Sequence, residues 1–488
     1  MRNFQVAIIG GGVIGSAIAW ELSKYKLDVV VFEKESDVSY GTSKANSGVI
    51  HSGINSPPFS LKAHFCVEGN NMFRSEEHSF DFPIKWIGKY VIAKNEEETE
   101  ELERLKKVGN QNGVPGLEIK DGKDVKTKEP NISCYKALWV PTAGIISSYE
   151  LTMSFAENAQ VNKVNFLLET KVTDLQKKED NFCIKTNKGS FQSQILVNAA
   201  GLNCREIVSM LEKPDFNVYP CRGEYLVLDK NYSSLINSMI YPVPPKELGV
   251  LGVHITPTIE GNILLGPSAE FIDDPDDKRT TKEMMKTLFC EAKEIIPALP
   301  EKAVINAYSG IRCKLASPEQ GGLADYRMEE SKQTPCFINL LGIESPGLTA
   351  APAIAKEITK MISKHIELKT KTYFNIKKIK KKRFAEMNSK EQSDLINKDK
   401  RWGRIVCRCE QVTEAEVIKA LSNPIGAQTL SSVKYRCRAG MGRCQGGFCT
   451  QHIIRIMDEQ FKIDVNKMKL KSSNSNLFFD RTRKKEND

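Results

Sequence analysis

The chain has 488 residues, of which 40% are hydrophobic and 27% charged, and its formal net charge is +9. This is the composition of an ordinary globular protein long enough for two or three domains, and so mild a basic excess does not indicate nucleic-acid binding. No apolar run approaches the ~18 residues that span a bilayer, and no signal peptide precedes the first apolar segment. We therefore expect a cytoplasmic protein, bound at most peripherally to the inner face of the cell membrane.

A dinucleotide-binding fingerprint stands near the start of the chain. An apolar run at residues 6–9 leads into Gly10-x-Gly12-x-x-Gly15, and a helical segment and a second apolar run follow, ending at Glu33. Gly10 allows a sharp turn, Gly12 lets backbone amides approach a pyrophosphate, and Gly15 lets the helix pack against the strand. Glu33 stands where a carboxylate binds a ribose hydroxyl. The pattern predicts a βαβ unit for FAD or NAD, and its place at the N-terminus favours FAD.

A polar loop follows, with the sequence GTSKANSGVIHSG at residues 41–53. Its small hydroxyl and amide side chains have neither helical nor strand periodicity and are flanked by glycines. A solvated connection is one interpretation. We favour a binding loop, because a loop of this length inside a compact domain is more often functional than idle.

The rest of the first 365 residues predicts alternating elements of both kinds. We expect helical segments at 96–108 and 144–158, strands at 85–93, 166–175 and 182–186, a buried parallel strand at 195–197, a largely antiparallel sheet from 222–228 and 239–263 with a proline bend at 242–245, and a strand, turn and helix at 339–355.

The fingerprint, the polar loop and ILVNAAGL at residues 195–202 together resemble the FAD-dependent oxidoreductases related to D-amino-acid oxidase, in particular the FAD-dependent glycerol-3-phosphate dehydrogenases. The resemblance covers most of residues 1–365. It implies an α/β fold in which a Rossmann-like FAD-binding domain is interleaved with an α+β substrate domain built on an antiparallel sheet. The FAD contacts that it implies are Gly10, Gly12, Ile14, Gly15, Glu33, Lys34, Thr42, Ser43, Asn46, Ser47, Val172, Gly201, Gly347, Leu348 and Thr349.

The same resemblance implies three catalytic residues. It places His51 beside the isoalloxazine and His254, in a GVH-x-TP segment, on a strand that faces the flavin. A lone histidine on a strand is otherwise more often a core residue. From its spacing alone, Arg312 would be interpreted as part of a surface ion pair. In the family, however, an arginine at this place binds the anionic end of the substrate. Cys313 and Lys314 differ from the residues that usually follow this arginine in the family, so the sequence does not predict the shape of the pocket around it.

Four cysteines near the C-terminus form a second motif. Cys407-x-Cys409 and Cys444-x4-Cys449 enclose a Gly-rich loop, which suits a [2Fe-2S] cluster. Zinc is the alternative, but the C-x-C start is too tight for a typical zinc site. The motif resembles the bacterioferritin-associated-ferredoxin-like domain. In the A subunits of anaerobic glycerol-3-phosphate dehydrogenases, this domain follows the flavin domain. Cys437 lies outside the pattern as a spare thiol.

These features predict the following domain organisation. The FAD-binding domain takes 1–81, 144–220 and 305–365, and the substrate domain takes 82–143 and 221–304. A Lys-rich linker at 366–404, with its most basic run at 377–383, leads to a small helical [2Fe-2S] domain at 405–455 and a polar tail at 456–488. We expect the chain from Lys462 onward to be disordered, and most such basic runs are solvated rather than docked on an anionic surface.

The resemblance implies oxidation of sn-glycerol 3-phosphate to dihydroxyacetone phosphate, with hydride passing from C2 to flavin N5 and His51, or secondly His254, as the base. Electrons then leave through the [2Fe-2S] cluster to a partner flavoprotein or quinone-linked acceptor, or react with oxygen. One rival is a 2-hydroxyacid dehydrogenase, especially for L-2-hydroxyglutarate. A rival of another class is an electron-carrying subunit without catalysis.

Overall fold

The computed structural model describes residues 2–75, 82–244, 252–375, 382–472 and 474–479. The strands are β1 (Arg2–Ile9), β2 (Val29–Phe32), β3 (Val49–Ile50), β4 (Ile84–Lys85), β5 (Lys89–Ala93), β6 (Glu118–Asp121), β7 (Lys136–Val140), β8 (Gly144–Ile146), β9 (Asn165–Leu167), β10 (Val172–Lys178), β11 (Asn181–Thr186), β12 (Gly189–Asn198), β13 (Tyr219–Leu228), β14 (Met239–Pro242), β15 (Ile255–Pro257), β16 (Ile263–Leu265), β17 (Glu270–Phe271), β18 (Val304–Lys314), β19 (Arg327–Glu330), β20 (Phe337–Leu341), β21 (Ile405–Cys407) and β22 (Val412–Thr413).

The helices are α1 (Val13–Leu22), α2 (Leu61–Ser75), α3 (Thr99–Gln111), α4 (Gly122–Lys128), α5 (Ser148–Val161), α6 (Cys204–Ser209), α7 (Lys282–Ile295), α8 (Gly347–Ser363), α9 (Ser389–Lys398), α10 (Glu414–Leu421), α11 (Leu430–Cys437) and α12 (Thr450–Phe461). None of them, within the described ranges, is long and apolar enough to cross a membrane.

The first sheet carries the predicted βαβ unit. Its strands run in the order β10-β11-β12-β1-β2-β9, and β20 and β19 continue from β12. Strand β1 pairs parallel with both β12 and β2. Along β1, Val6 and Ile8 pack into one core layer and Ala7 and Ile9 into the opposite one. This burial of both faces explains the uninterrupted apolar run, and helices α1, α5 and α8 cover the first of these layers.

The second sheet is largely antiparallel, as predicted, and faces the first across a cavity. Its order is β17-β13-β16-β15-β14-β5-β7-β6, and β18 pairs antiparallel with β13 along nearly its whole length. Helix α7 covers it through Leu288, Ala292 and Ile295. Strand β18 pairs in this sheet as far as Lys314, in a segment that the sequence analysis assigns to the FAD-binding domain, and the domain boundary at residue 304 stays a prediction. Pro242 ends β14, and Pro245 of the predicted bend lies outside the described residues.

Three predicted elements are wrong in outline. The strand expected at 85–93 is two strands in different sheets, because Gly88 turns the chain with φ +69° between β4 and β5. The strand expected at 166–175 is likewise split into β9 and β10, with Glu169 at φ +53° between them. The helix expected from residue 144 begins only at Ser148, since Gly144–Ile146 form β8 in a three-stranded sheet with β3 and β4.

The C-terminal module is a small helical unit, as predicted. Strands β21 and β22 and helices α10, α11 and α12 enclose a core that includes Val417, Val433 and Ile453. Helix α12 runs to Phe461 and so passes the predicted boundary at 455.

Buried ion pairs hold this module against the FAD-binding domain. The Arg436 guanidinium donates to both carboxylate oxygens of Asp37, and its Nε lies 2.9 Å from Glu157 Oε1. The three side chains are 7%, 0% and 7% exposed. A second arginine, Arg438, pairs with Glu410 of its own module at 2.8 Å and with Glu260 of the substrate domain at 3.3 Å.

The predicted linker is folded in large part. Lys371 Nζ donates to the carbonyls of Ser23 and Asn162 at 3.0 and 2.7 Å. Helix α9 follows, and Phe384 and Trp402 stack with ring centroids 6.1 Å apart. The basic run at 377–381 lies outside the described residues, while the two that follow it, Lys382 and Arg383, form ion pairs with Glu391 and Glu150.

The prediction of a disordered tail is wrong as far as Phe479. Met468 is 1% exposed in the core of the C-terminal module. Lys469 forms an ion pair of 2.6 Å with Glu169, and the Ser36 hydroxyl donates to the Lys471 carbonyl. The tail therefore folds back onto the first sheet, because a few apolar and charged anchors are enough to order a polar segment. Residues 473 and 480–488 lie outside the described residues.

Replacing Arg436 tests how much these ion pairs stabilise the docked module. In Arg436→Met, the buried carboxylates of Asp37 and Glu157 lose their cation. We therefore expect the free energy of unfolding to fall by about 3–5 kcal/mol, which is measured as a lower urea midpoint for unfolding of the holoprotein. Arg455→Met, at an exposed position of α12, is the matched control and should leave the midpoint unchanged. Equal midpoints for Arg436→Met and the wild type would contradict a stabilising role.

Candidate functional site

A cavity of about 960 Å³ lies between the two sheets. This is the upper end of the size range of ligand sites. Most of the residues that the sequence assigns to FAD line it: Gly10, Gly12, Ile14, Glu33, Lys34, Thr42, Ser43, Asn46, Ser47, Val172, Gly201, Gly347 and Leu348. His51, His254 and Arg312 line the same cavity. The structure thus brings together segments that are up to 340 residues apart, with the predicted catalytic groups among the predicted cofactor contacts.

Two glycines of the fingerprint allow a close backbone approach. Gly10 has φ +110°, and a Cβ added there would lie 2.5 Å from the Ala199 carbonyl oxygen. A Cβ on Gly15 would overlap the Gly10 carbonyl. Gly15 therefore packs helix α1 against the turn and does not line the cavity itself. The N-terminal amides of α1 consequently face the cavity, as a pyrophosphate requires.

Glu33 is held in place by backbone amides. Its Oε2 accepts from Gly11 N at 2.7 Å and its Oε1 from Glu35 N at 2.8 Å. Burial raises the pKa of this carboxyl group. Each carboxylate oxygen keeps a further lone pair, so the residue still suits a ribose hydroxyl. Its neighbour Lys34 donates to Asn203 Oδ1 at 3.0 Å.

The side chains of the polar loop mostly fix the loop itself. Ser43 Oγ accepts from Val13 N at 2.9 Å and so binds the first turn of α1. Thr42 Oγ1 donates to the Ile311 carbonyl at 2.7 Å. Asn46 donates to the carbonyls of Thr42 and Ser43 and accepts from Gly48 N. These bonds hold the loop between α1 and β18, along one wall of the cavity.

Helix α8 begins at the opposite end of this wall. Its first residues, Gly347 and Leu348, line the cavity, so the unpaired amides of its first turn are directed there. The next residue, Thr349, is fully buried and does not line the cavity. Its Oγ1 accepts from His51 N at 2.9 Å, so Thr349 positions His51 from behind.

His51 is fixed through its backbone, and its ring has one hydrogen-bonding contact. Its carbonyl accepts from Asn70 Nδ2 at 3.0 Å, and its Nε2 lies 3.4 Å from Ser345 Oγ. Burial, and secondarily the Lys89 ammonium, lower the pKa of His51 to about 3. The imidazole is therefore neutral at physiological pH and able to accept a proton.

His254 is part of an aromatic stack. It is 4% exposed, and its ring lies parallel to that of Tyr241 with centroids 3.5 Å apart and an interplanar angle of 13°. Both rings line the cavity. This stacking fixes the orientation of the His254 imidazole more strongly than the orientation of the His51 imidazole is fixed.

Arg312 presents a charged fork to the cavity from β18. Its Nη1 and Nη2 donate to the Ser268 carbonyl at 3.2 and 3.1 Å, and Nη1 also approaches Cys221 Sγ. No carboxylate among the described residues forms an ion pair with it. An arginine without an acidic partner in a cavity is suited to bind a phosphate or carboxylate.

Several cavity residues escape the sequence analysis. Lys89 and Tyr241 stand on neighbouring strands of the second sheet, and Lys62 and Lys314 share Glu344 at 2.8 and 3.4 Å. A lysine inside the apolar run of β5, directly after a glycine, is the one local signal that could have indicated Lys89. Tyr241 joins Lys89 through the sheet register, and Lys62 meets Lys314 where helix α2 approaches the end of β18.

The four predicted cluster ligands approach in two pairs, Cys407 with Cys449 and Cys409 with Cys444. A Cβ on Gly442 would overlap Cys409, so the Gly-rich loop can pass close to the thiols only as glycine. The interaction with Cys449, together with amides of Gly440 and Glu410, lowers the pKa of Cys407 to about 6. Two thiol pairs with nearby amides fit a [2Fe-2S] cluster.

Cys437 differs from these four. It is buried in the core of the module, and its thiol donates to the Val433 carbonyl at 3.2 Å. Burial raises its pKa to about 12. Cys437 is thus packed as an apolar core residue and pairs with none of the four thiols, which agrees with its place outside the motif.

Comparison with known proteins identifies two family models. The model described as FAD dependent oxidoreductase matches residues 5–361, and the BFD-like [2Fe-2S] binding domain matches residues 405–459. Glycerol 3-phosphate dehydrogenase of Caloramator mitchellensis is 40% identical over 470 residues, which are 95% of this chain and 96% of that protein. Mitochondrial L-2-hydroxyglutarate dehydrogenase of Arabidopsis thaliana is 32% identical over 403 residues, 73% of this chain and 83% of that protein.

A solved structure shares the fold of about three quarters of the chain. Dithionite-reduced L-α-glycerophosphate oxidase from Mycoplasma pneumoniae, with FAD bound, superposes with a TM-score of 0.72 at 31% sequence identity. The match covers 77% of this chain and 98% of that one.

Replacing Gly10 should prevent cofactor retention. The Cβ of Gly10→Ala would collide with the Ala199 carbonyl at a backbone angle that alanine rarely adopts, so we expect the purified variant to lose most of its bound flavin, measured by absorbance. Gly403→Ala, where the nearest atom is 3.5 Å from the added Cβ, should retain it. Full flavin content in Gly10→Ala would refute the assigned role of this turn.

Replacing single cysteines should separate cluster ligands from structural thiols. We expect Cys409→Ser to lose most of its iron and acid-labile sulfide, because a hydroxyl is a poor substitute for a thiolate. Cys437→Ala should keep both. Iron analysis and the visible spectrum of the holoprotein measure the outcome, and cluster loss in Cys437→Ala with retention in Cys409→Ser would reverse the assignment.

Proposed function

Because the chain belongs to the FAD-dependent oxidoreductase family, we propose that it oxidises sn-glycerol 3-phosphate to dihydroxyacetone phosphate. The protein is an FAD-dependent oxidoreductase with a C-terminal [2Fe-2S] domain, and its cofactors are FAD and this cluster. The observation that carries the substrate proposal is the Arg312 guanidinium, which lines the same cavity as His51 and has no carboxylate partner among the described residues. The full-length similarity to a glycerol 3-phosphate dehydrogenase supports the same substrate.

In this proposal Arg312 binds the phosphate. Its guanidinium is held by the Ser268 carbonyl, which leaves N–H groups for phosphate oxygens. Binding of the charged end of the substrate at a fixed arginine orients its carbinol carbon, and this orientation lowers the entropic part of the barrier.

His51 acts as the general base. Its Nε2 accepts the proton of the C2 hydroxyl, for which a neutral imidazole is required. FAD, held by the fingerprint glycines, Glu33 and the polar loop, would supply the two-electron oxidant for the hydrogen of C2. His254 remains the second choice for the base, and its stacking on Tyr241 supports an orienting role instead.

We further propose that the [2Fe-2S] domain delivers the electrons to a separate acceptor, a partner flavoprotein or a quinone-linked complex. The thiol pairs and the docking of the module on the FAD-binding domain support this route. The domain boundaries and the location of the protein at or near the cytoplasmic membrane face stay predictions.

A second candidate function is dehydrogenation of L-2-hydroxyglutarate. Arg312 binds a carboxylate as readily as a phosphate, and relatives named for this activity share about a third of their residues with the chain. The two reactions use the same base and the same oxidant, so only the substrate distinguishes them. A non-catalytic electron carrier is disfavoured by the intact set of His51, His254 and Arg312 in one cavity.

An anaerobic titration tests the proposal. Glycerol 3-phosphate and L-2-hydroxyglutarate are added separately to the purified holoprotein while the oxidised flavin band is followed. We expect bleaching by glycerol 3-phosphate. Bleaching by L-2-hydroxyglutarate alone would replace the substrate, and bleaching by neither would favour the electron carrier.

The low pKa of His51 predicts the pH dependence of flavin reduction. Because burial lowers this pKa to about 3, the basic form persists at all higher pH values, and the rate constant should not fall between ~pH 7 and ~pH 5, where an ordinary histidine becomes protonated. Stopped-flow flavin reduction measures it. His51→Gln should retain FAD and reduce it about 100-fold or more slowly. A wild-type decline centred near ~pH 6.5 would contradict the buried neutral base.

A further inference from the structure

Lys89 is a buried cation in the wall of the cavity. It is the first residue of β5, directly after the turn at Gly88, and it is 1% exposed. Its side chain lines the cavity. All five residues of β5 are buried, and at such a position an apolar residue would satisfy the packing equally well. The presence of a lysine therefore requires a separate reason.

The ammonium group of Lys89 has no fixed anionic partner. Among the residues that the structure describes, no carboxylate and no hydrogen-bond acceptor pairs with Lys89 Nζ, and its one close contact is the face of the Tyr241 ring, 4.6 Å from the centroid. Burying a cation is unfavourable, and a cation–π contact offsets only part of the lost hydration. Burial lowers the pKa of Lys89 to about 8, so the group remains charged at neutral pH.

Lys89 shares its cavity with the two candidate bases. Its ammonium lies over the Tyr241 ring, on which His254 stacks, and its charge contributes to the low pKa of His51. The titratable groups around it are His51, Cys66 of α2, and Tyr241 and His254 of the second sheet. Cys66 and Tyr241 are neutral because burial raises the pKa of each. Arg312 has a different set of contacts, Ser268 and Cys221.

We propose that Lys89 is a catalytic residue whose ammonium donates a hydrogen bond to the carbinol oxygen of the substrate. The inference rests on the proposed function. As the C–O bond becomes a carbonyl, the hydroxyl proton passes to His51, the C2 hydrogen leaves with both electrons to FAD, and Lys89 stabilises the negative charge that develops on the oxygen. Arg312 meanwhile holds the anionic end. The buried charge thus acquires its partner only when substrate is bound.

A different role for Lys89 would be to act on the flavin alone. An ammonium beside the isoalloxazine would change the spectrum of the oxidised flavin and strengthen its reaction with sulfite, whether or not an alcohol is present. The two roles are therefore separable by measurements on the holoprotein without substrate.

The test compares Lys89→Met, Lys89→Arg and Lys94→Met. Lys94 follows the same strand, is exposed, and pairs with Glu294 on the surface, so Lys94→Met removes a charge outside the cavity. Flavin content, the spectrum, sulfite affinity and anaerobic flavin reduction by glycerol 3-phosphate are measured for each holoprotein, the last as a function of pH.

We expect Lys89→Met to retain FAD with an unchanged spectrum and sulfite affinity, and to slow flavin reduction about 100-fold, the cost of losing one donor to a developing oxyanion. Lys89→Arg should recover part of the rate. The wild-type rate should fall above pH 8, where Lys89 loses its proton, and Lys89→Arg should lack this fall because arginine stays charged. Lys94→Met should behave as the wild type.

Three results would overturn the inference. If Lys89→Met reduces its flavin at a rate within threefold of the wild type, the inference fails while the proposed function stands. If the rate is slow but the flavin spectrum and sulfite affinity also change, Lys89 acts on the flavin and the inference fails as well. If glycerol 3-phosphate and L-2-hydroxyglutarate both fail to bleach the wild-type flavin, the proposed function fails, and this inference with it.

Discussion

The site depends on the contact between two backbones at the start of the chain. Helix α1 approaches the end of β1 so closely that its Gly15 leaves no room for a side chain beside the Gly10 carbonyl. This approach turns the amides of the first helical turn toward the cavity, where Ser43 binds one of them, at Val13. The turn in β1 packs in the same way against the end of β12, at Ala199. Three segments far apart in the sequence thus meet where parallel strands end, which is where α/β sheets bind ligands.

Two cations complement this geometry. Acidic and basic side chains both line the cavity, and Lys62 and Lys314 share the carboxylate of Glu344, whereas Arg312 and Lys89 pair with no carboxylate of the described residues. Burial keeps these two charges in a medium of low dielectric constant, in which an anion is attracted more strongly than in water. Arg312 and Lys89 are therefore the groups of the cavity that suit an anionic ligand.

The βαβ unit of the FAD-binding sheet could be predicted from the sequence because it depends on local spacing. The resemblance to a family, and not spacing, singled out His51, and the roles of His51 and of the four cluster thiols stay predictions. Gly10, Gly12 and Gly15 are meaningful through their intervals, as are Cys407 and Cys409. The errors have a different physical origin. A single residue with positive φ, such as Gly88 or Glu169, divides a run of strand-forming residues that periodicity joins. Lys89 and Tyr241 become neighbours only through the parallel pairing of β5 with β14, and no local pattern encodes that register.

The C-terminal module is fixed at several points around its circumference. Lys371 and α9 hold the chain that enters it, Arg436 and Arg438 hold its inner face, and the chain that leaves it returns to Glu169 and Ser36 on the first sheet. A module on a free tether would have to find its docking position by diffusion before each turnover, at a rate set by solvent viscosity and tether length. Here both ends are anchored, so the separation between the thiol pairs and the cavity is a constant of the fold. In the proposed electron route, the distance between the two sites is then set by the fold and is independent of how the connecting segment is composed.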